Sequence, residues 1–530
     1  MIRKKIIELE KVDILSKLVK DYSNFDEKFK KFTRVFPVDS SSFNFKKKLD
    51  KGNREELVLV IKNQYKKTNF YKSDLNKVNS NISSLLLHNS QTVTTGHQLN
   101  ILASPLFLIY KIINVITLSN QLSNKLKKKI IPIFWMATED HDFNEIKTCN
   151  IEDKSYKWGV NYNNKPVSEF STRGINVLIE KINTETKDYS FKKELIDAYK
   201  HIYNNNTNYV NAHRALLTYF FADYGLVILD ANDAMLKKNF ISNFEFEFKK
   251  NQTYLSVKQT NAHLSKNYKP TLNPMDSNVF YFKDSLRIKI IRDENKFFLK
   301  DKSKEWSLDE LICEINNYPE KFSPNVILRT LYQEKILPNI AYIGGPSEIS
   351  YWLQLKNLFE SQGIEFPILI LRSFVLNLNR KNIKILKKYN IKISDLFNTK
   401  ELLKKKYLKE NSKLNIEDEL HKIDSILNSI KSKSKLINSN LNIHSEVVSK
   451  KIKKDLLKLE KKIIKGQKSE HSLALSKIND LYDNIYFNGL IQERSLSYIP
   501  YYMQYGCEFF KILIKKLEPL EKDYIILEGF

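Results

Sequence analysis

The densest group of side chains that could take part in catalysis or ligand binding lies at residues 139–145, directly after an apolar run of strand length. Five ionisable residues fill these seven positions: Glu139, Asp140, His141, Asp142 and Glu145. Because so many charges cannot enter a core without a large desolvation cost, we expect them to line a solvated or ligand-filled cleft. Carboxylates around a histidine can perform acid–base catalysis or bind a cation. We predict that Asp140, His141 and Asp142 are catalytic and that Glu139 contacts a ligand. The alternative is a solvated loop whose acids cap a helix.

A second candidate is the string Thr95-Gly96-His97-Gln98, where a short β-prone run gives way to a predicted helix. Glycine at such a turn lets the backbone approach a ligand closely, and amides at a helix N-terminus attract phosphate or carboxylate groups. We predict that these four residues bind a substrate or nucleotide. The alternative is a helix-capping turn.

A third candidate is the strand-to-helix loop at 341–348, which contains Tyr342, Gly344 and Gly345 and is followed by Pro346. Its double glycine predicts exposed amides that bind a ligand, although no Gly-Lys-Ser/Thr follows as in a Walker A loop. Upstream lies Arg329, one of 11 arginines in the chain. It is predicted to clamp a carboxylate or phosphate, and a buried structural ion pair is the alternative.

The elements that must position these residues form a predicted α/β sheet. Residues 91–95 and 130–135 read as strands, and the apolar stretch 106–118 between them reads as a buried helix. Such a βαβ unit makes its two strands parallel. Further strands are predicted at 225–230, 286–292 and 366–371 in a mostly parallel sheet covered by helices. Because ligands bind beyond the carboxyl ends of such strands, the three candidate loops are expected to face one crevice.

From about residue 382 the apolar spacing becomes helical. The spacing of 4 and 3 residues recurs at Ile416, Leu420, Ile423, Leu427, Ile430, Ile437, Leu441, Ile452, Leu456, Leu459 and Ile463. Residues 438–442 are predicted to form the turn of a helical hairpin, and self-association along the same seam is equally open. We divide the chain into a helical segment packed on the core (1–90), the core with its insertions (91–380), a coiled-coil arm (381–485) and a segment returning to the core (486–530).

The composition of the chain limits the classes of partner that we expect it to bind. The net charge of +26 comes mainly from lysines spread along the whole chain, so a nucleic-acid partner is not expected. Cys149, Cys313 and Cys507 form no C-x-x-C pair, which predicts neither a disulfide framework nor a thiolate zinc site and suits a reducing cytoplasm. The most apolar stretch, 100–118, contains Lys111 and Asn114, so no membrane span is expected either.

Five motifs occur in one order along nearly the whole chain. They are 95–98, 132–143 with its string Trp135-x-x-x-Glu139-Asp140-His141-Asp142-Phe143, 323–334, 342–346 and Gln492-Glu493-Arg494. Together they resemble the BshC family, which is assigned to the cysteine-adding step of bacillithiol biosynthesis. The resemblance implies a Rossmann-like core related to nucleotidyltransferases, with connecting insertions and a coiled-coil arm that makes a homodimer.

The resemblance also implies a reaction, the joining of the carboxyl group of cysteine to the amine of glucosaminyl malate. By the same analogy, residues 95–98 stand where nucleotidyltransferases carry a His-x-Gly-His loop, which makes His97 a site candidate. Amide formation requires an activated carboxyl group, for which ATP is the expected nucleotide, and a proton acceptor for the amine. No resident metal is expected. The alternatives are a metal-dependent hydrolase with His97, Asp140, His141 and Asp142 as ligands, and a dimeric coiled-coil scaffold.

Overall fold

The structure is a computed structural model that describes residues 2–162, 164–294, 296–411 and 417–530. Its strands are β1 (Arg3–Ile7), β2 (Gln91–His97), β3 (Ile130–Met136), β4 (Thr148–Ile151), β5 (Lys154–Lys157), β6 (Val227–Asp230), β7 (Val279–Lys283), β8 (Leu286–Asp293), β9 (Lys296–Leu299), β10 (Glu305–Ser307), β11 (Phe322–Pro324), β12 (Asn339–Gly344), β13 (Ile368–Leu371), β14 (Val375–Leu378), β15 (Tyr486–Phe487), β16 (Leu490–Ile491) and β17 (Tyr524–Glu528).

Its α-helices are α1 (Lys17–Ser23), α2 (Lys51–Lys66), α3 (Asn76–Ser84), α4 (Leu106–Leu126), α5 (Phe143–Ile146), α6 (Ile175–Glu185), α7 (Lys192–Asn205), α8 (Tyr209–Phe221), α9 (Ala234–Lys238), α10 (Ile241–Lys250), α11 (Gln252–Leu264), α12 (Leu308–Asn317), α13 (Val326–Ile336), α14 (Pro346–Trp352), α15 (Lys356–Ser361), α16 (Arg380–Lys388), α17 (Lys400–Asn411), α18 (Glu417–Ile437), α19 (Ser439–Glu470), α20 (Ser472–Ile485), α21 (Gln492–Ser495), α22 (Ile499–Tyr505) and α23 (Glu508–Lys516).

A five-stranded parallel sheet forms the core, in the order β13-β12-β2-β3-β6. Strands β2 and β3 pair in parallel from Gln91 opposite Ile130 to His97 opposite Met136. Every residue of β3 is buried, as the continuous apolar run 130–135 predicts for a strand covered on both faces. The predicted parallel α/β core is therefore confirmed, including its strands at 225–230 and 366–371, which form β6 and β13.

Helix α4 connects β2 to β3 and packs against both strands. It is the one helix, within the part of the chain that the structure describes, long and apolar enough to cross a membrane, and most of it is buried inside the protein. Its single charge before the last turn, Lys111, is fully buried. A buried lysine requires partners, and these lie at the candidate site.

The predicted strand at 286–292 forms as β8, but the expectation that it belongs to the main sheet is wrong. It lies in a separate antiparallel sheet of order β10-β9-β8-β7-β11. Strands β7 and β8 are joined by Asp284 and Ser285 alone, both with positive φ, at 50° and 59°. Two residues with positive φ make the turn of a tight hairpin, and so short a connection can join only antiparallel strands.

The two ends of the chain meet in a third sheet of order β1-β17-β14. Strand β1 pairs with β17 antiparallel, with Arg3 opposite Glu528, and β14 pairs with β17 in parallel. The first ninety residues therefore contain a strand that their helical interpretation omits. The last strand of the chain lies between the other two.

Helices α18 and α19 pack against each other as a hairpin. The turn is confined to Asn438, whose Oδ1 accepts a hydrogen bond of 2.8 Å from the backbone N–H of Leu441, so helix resumes at Ser439, earlier than the predicted 438–442 turn allows. Of the predicted seam, Leu427 is buried, whereas Ile430, Leu441, Ile452 and Leu459 are exposed. Ile416 and the side chain of Ile463 lie outside the described residues.

Candidate active site

A cleft of about 480 Å³ opens at the carboxyl ends of β2, β3, β6 and β12. This is where parallel sheets place ligands, and the volume suits a small-molecule site. Apolar side chains that follow the strands, among them Trp135 and Met136, line it from the core. The antiparallel sheet β10-β9-β8-β7-β11, here called the insertion sheet, forms the facing wall. It contributes Phe280 on β7 and Arg287 and Lys289 on β8.

Half of the predicted site residues line this cleft, and they come from the 95–98 segment, the 139–145 segment and Arg329 on α13. They are Gly96, His97, Gln98, Glu139, Asp140 and Arg329. The segments touch directly, because a Cβ atom placed on Gly96 would lie 3.6 Å from Nη1 of Arg329. The 95–98 and 139–145 segments therefore share one cleft, whereas from the 341–348 loop Glu348 lines it and the predicted Tyr342, Gly344 and Gly345 do not.

Predicted residues of the second segment (95–98) and the third segment (341–348) that do not line the cleft stabilise the structure around it. Thr95 donates from Oγ1 to the carbonyl oxygen of Ile343 at 2.7 Å and so ties β2 to β12. The buried ring of Tyr342 packs on Trp352, with centroids 4.6 Å apart. The backbone N–H of Gly345, predicted to be exposed, donates to Oε2 of Glu348 at 2.8 Å. This amide is satisfied within the chain because a carboxylate three residues later folds back on it.

The acidic segment splits into a cleft residue and a helix cap. Asp140 accepts a hydrogen bond of 2.6 Å from Nε2 of Gln98 at Oδ2 and one of 2.7 Å from the backbone N–H of His141 at Oδ1. Asp142 instead caps α5, because its Oδ1 accepts from the backbone N–H groups of Asn144 and Glu145 at 3.1 and 3.4 Å. Among the three predicted catalytic residues, Asp140 is the one that lines the cleft.

His141 lies behind Arg287. Nη1 of Arg287 lies 3.2 Å from Nδ1 of His141, and since a guanidinium only donates, Nδ1 accepts and the ring proton sits on Nε2. Burial, and then the Arg287 charge, lower the pKa of His141 below its usual value. A neutral imidazole whose acceptor nitrogen is occupied is a poorer proton acceptor than the Asp140 carboxylate.

Sequence reasoning missed Arg287 and Lys289 on the facing wall, and it also missed Glu348 and Lys111, which pair beside the cleft. Nζ of Lys111 donates to the carbonyl oxygen of Gly96 at 2.5 Å and to Oε1 of Glu348 at 2.8 Å. The pair thereby links the 95–98 segment to the loop after β12. A lone lysine within the apolar run 106–118 is the signal that could have identified it, because a buried ammonium needs an anionic partner.

His97 is neutral at physiological pH. Burial, together with the Lys111 ammonium, lowers the pKa of His97 to about 4. Its Nδ1 lies 2.9 Å from the carbonyl oxygen of Gln98, so Nδ1 carries the proton and Nε2 is an acceptor. His97 therefore offers the cleft a hydrogen-bond acceptor and no positive charge.

The charges around the cleft do not balance. Glu139 pairs with the buried Lys237, 2.5 Å from Oε1 to Nζ, and Glu348 pairs with Lys111. By contrast Arg287, Lys289 and Arg329 have no carboxylate within 4.0 Å in the described ranges. Three cations without carboxylate partners in one concave site favour an anionic ligand.

The candidate metal ligands do not converge. Among the residues that the structure describes, no three His, Cys, Asp or Glu side chains are grouped as they would have to be to hold a metal ion. Asp142 caps a helix, and the acceptor nitrogen of His141 is occupied by Arg287. The predicted alternative of a hydrolase with these ligands is therefore not supported.

Comparison with known proteins gives matches along almost the whole chain. Residues 2–373 match the family model "Bacillithiol biosynthesis BshC, N-terminal Rossmann-like domain", and residues 375–529 match "Bacillithiol biosynthesis BshC, C-terminal coiled-coil domain". A solved structure from Campylobacter jejuni, described as a putative arginyl-tRNA synthetase, aligns at 11% identity over 88% of this chain and 98% of its own. Its TM-score is 0.21, too low to inform the fold.

Three relatives share the name "Putative cysteine ligase BshC". The one from Flavobacterium johnsoniae is 35% identical over 97% of both chains. The one from Flavobacterium psychrophilum is 34% identical over 98% of this chain and 99% of its own. The one from Bacillus cytotoxicus is 27% identical over 96% and 98%.

Proposed function

The chain belongs to the BshC family of bacillithiol biosynthesis, and from that membership we propose that it joins the carboxyl group of cysteine to the amine of glucosaminyl malate. The enzyme class is a ligase that forms a carbon–nitrogen bond. One observation supports assigning the reaction to this cleft. The cleft lies at the strand ends and contains three cations that have no carboxylate partner. Glucosaminyl malate carries carboxylates, so such a cleft suits it.

Asp140 is the residue best placed to accept the proton that the attacking amine loses. It faces the cleft, and the Gln98 amide and a backbone N–H hold its two oxygens in place. The ionised carboxylate is the form that can accept a proton. Arg287 and Lys289 on the insertion sheet are placed to contact the carboxylates of glucosaminyl malate.

The cysteine carboxyl group must be activated, because a free carboxylate resists attack by an amine. A nucleoside triphosphate would supply this activation, since one carboxylate oxygen then departs with a phosphate group. The cations of the cleft fit a phosphate-bearing group, and Gly96 leaves the backbone open beside Arg329. ATP use is part of the proposal.

The proposal includes a homodimer formed through the arm. The α18–α19 hairpin leaves large apolar side chains exposed, among them Ile426, Ile430, Leu441 and Ile443. A row of exposed apolar residues on paired helices is typical of a surface that a further helix pair covers. The alternative, a dimeric coiled-coil scaffold without enzymatic activity, does not explain why the protein has a charged cleft of about 480 Å³.

The decisive experiment is a product assay. Purified protein, cysteine, glucosaminyl malate and ATP with magnesium are incubated, and bacillithiol is detected by mass spectrometry after thiol labelling. We expect product in the complete mixture and none without either substrate, and omitting ATP tests the activation step separately.

Deletion of the gene in its host tests the case in which another protein is required. We expect loss of the same thiol and its return on complementation. Unchanged thiol in the deletion strain would refute the proposed function.

A further inference from the structure

One corner of the cleft holds a guanidinium and a carboxylate that reach it from different helices. Arg329 lies on α13 and Glu348 on α14, and both line the cleft. Tyr351, one turn after Glu348 on the same helix, accepts a hydrogen bond of 3.1 Å from Nη2 of Arg329. The two charged groups are therefore neighbours, yet they are not within the 4.0 Å of an ion pair.

The guanidinium of Arg329 has capacity for an outside partner. Nη1 donates a 3.4 Å hydrogen bond to Oε1 of Gln333, and the buried Tyr342 is a further neighbour of the guanidinium. Arginine has five N–H donors, and no carboxylate in the described ranges lies within 4.0 Å of this one. Because Gly96 has no side chain, the space 3.6 Å from Nη1 that a Cβ atom would fill is left open. A ligand carboxylate can dock there in a bidentate manner.

Glu348 is ionised and retains free lone pairs. Burial opposes its ionisation, but the Lys111 ammonium at 2.8 Å from Oε1 outweighs this and holds the pKa of Glu348 below its usual value. Oε2 accepts from the backbone N–H of Gly345 at 2.8 Å. A carboxylate has about four acceptor positions, so about two stay open toward the cleft, where the side chain is 22% exposed.

We propose that Arg329 and Glu348 together bind an α-amino acid zwitterion, with Arg329 on the carboxylate and Glu348 on the ammonium group. This rests on the proposed function, in which the amino acid is cysteine. Glu348 then keeps the α-amino group of cysteine protonated and unreactive, so that cysteine does not condense with itself. The attacking amine of the second substrate is left to the Asp140 side of the cleft. The pair therefore sets both which group is held and which amine reacts.

The test compares three thiols by calorimetric titration, with and without a non-hydrolysable ATP analogue. Cysteine has both charges, 3-mercaptopropionate lacks the ammonium and cysteamine lacks the carboxylate. Glu348→Gln keeps an acceptor for Gly345 but removes the charge, so the Kd of cysteine should rise about 10- to 100-fold while that of 3-mercaptopropionate is unchanged. Arg329→Gln should weaken cysteine and 3-mercaptopropionate and leave cysteamine unchanged. Glu360→Gln, on the exposed side of α15, is the matched control.

A double variant controls for the fact that replacing Glu348 removes the ion-pair partner of the buried Lys111. Glu348→Gln leaves Lys111 without its carboxylate, so the double variant Lys111→Met/Glu348→Gln is measured beside it and should show the same selectivity among the thiols. If wild-type protein that forms bacillithiol binds all three thiols equally, or if Glu348→Gln changes no ratio between them, the zwitterion site is refuted and the ligase function stands. No thiol binding under any condition, together with unchanged thiol in the deletion strain, would refute both.

Discussion

Asp140 and Asp142 are two residues apart, yet the structure gives them different tasks. Asp140 faces the cleft with Gln98 as its donor, whereas Asp142 caps α5. The sequence motif predicts an acidic cluster beside a histidine and correctly places it at a strand end. It cannot separate a cap from a cleft residue, because that depends on which way the loop turns after residue 138.

The first prediction separates these two tasks by paired substitutions. Asp140→Asn should lower kcat by about 10²-fold or more if the carboxylate accepts the amine proton, with little change in Tm. Asp142→Asn should leave kcat near the wild-type value, because asparagine caps helices as well as aspartate does. Bacillithiol formation and thermal unfolding of both variants are measured, with the exposed Asp188→Asn as the control. Equal losses of activity in the two variants would contradict the division.

The second prediction concerns His97 and acid. Its folded-state pKa of about 4 lies below the unfolded value of about 6.5, so the unfolded chain binds the proton first as the pH falls. The stability tied to neutral His97 is therefore present above about pH 6.5 and is lost as the pH falls toward 4, by at most about 1.4 kcal/mol per pH unit.

The measurement is urea unfolding between pH 7 and pH 4.5. His97→Gln should flatten the pH dependence of the unfolding free energy relative to wild type. The buried His213, whose pKa burial and then His97 lower to about 3, stays neutral in both folded proteins over this range, so most of its acid response is common to the two. Parallel curves for the two proteins would show that His97 is charged or solvated in the folded state.

At the scale of single elements, β3, β6 and β13 of the main sheet could be predicted because they are mainly apolar runs, and β2 because it is rich in Thr and Val. The location of β8 could not, because its length and composition fit either sheet. The short Asp284-Ser285 turn determines that β8 pairs with β7. The two positive φ values of this turn are a property of the backbone that the pattern of side chains does not predict. Likewise Lys111, Glu348 and Arg287 join the site through contacts between elements far apart in sequence.

The third prediction uses the double glycine at the end of β12. A Cβ atom on Gly344 would lie 3.1 Å from Cβ and Oε2 of Glu348 and from Cδ1 of Ile349, whereas on Gly345 the nearest atom is 3.9 Å away. Gly344→Ala should therefore destabilise the fold by about 1–3 kcal/mol, and Gly345→Ala should cost much less. Denaturant unfolding of both variants gives the comparison. Equal effects would mean that the loop after β12 moves freely and does not hold Glu348 in place.

At the scale of the whole molecule, the periodicity predicts the arm and its hairpin but leaves its partner open. The fourth prediction is that replacing residues 412–470 by a short Gly-Ser linker gives a monomer with a folded core, because the exposed apolar residues of α18 and α19 are then removed. Light scattering gives the mass, and the near-ultraviolet circular dichroism of the core tyrosines shows folding. A variant that is still a dimer would place the interface on the core.

The sheet of β1, β17 and β14 has a consequence for synthesis on the ribosome. Its central strand is made after the other two, and about 500 residues of chain separate β1 from it. At about 5–20 residues per second, β1 waits about 25–100 s for the strand it pairs with. During that time β1 and β14 both expose unpaired backbone edges, the kind of surface that aggregates. A nascent chain that stalls before residue 524 leaves this sheet open, with both edges unpaired until β17 has been made.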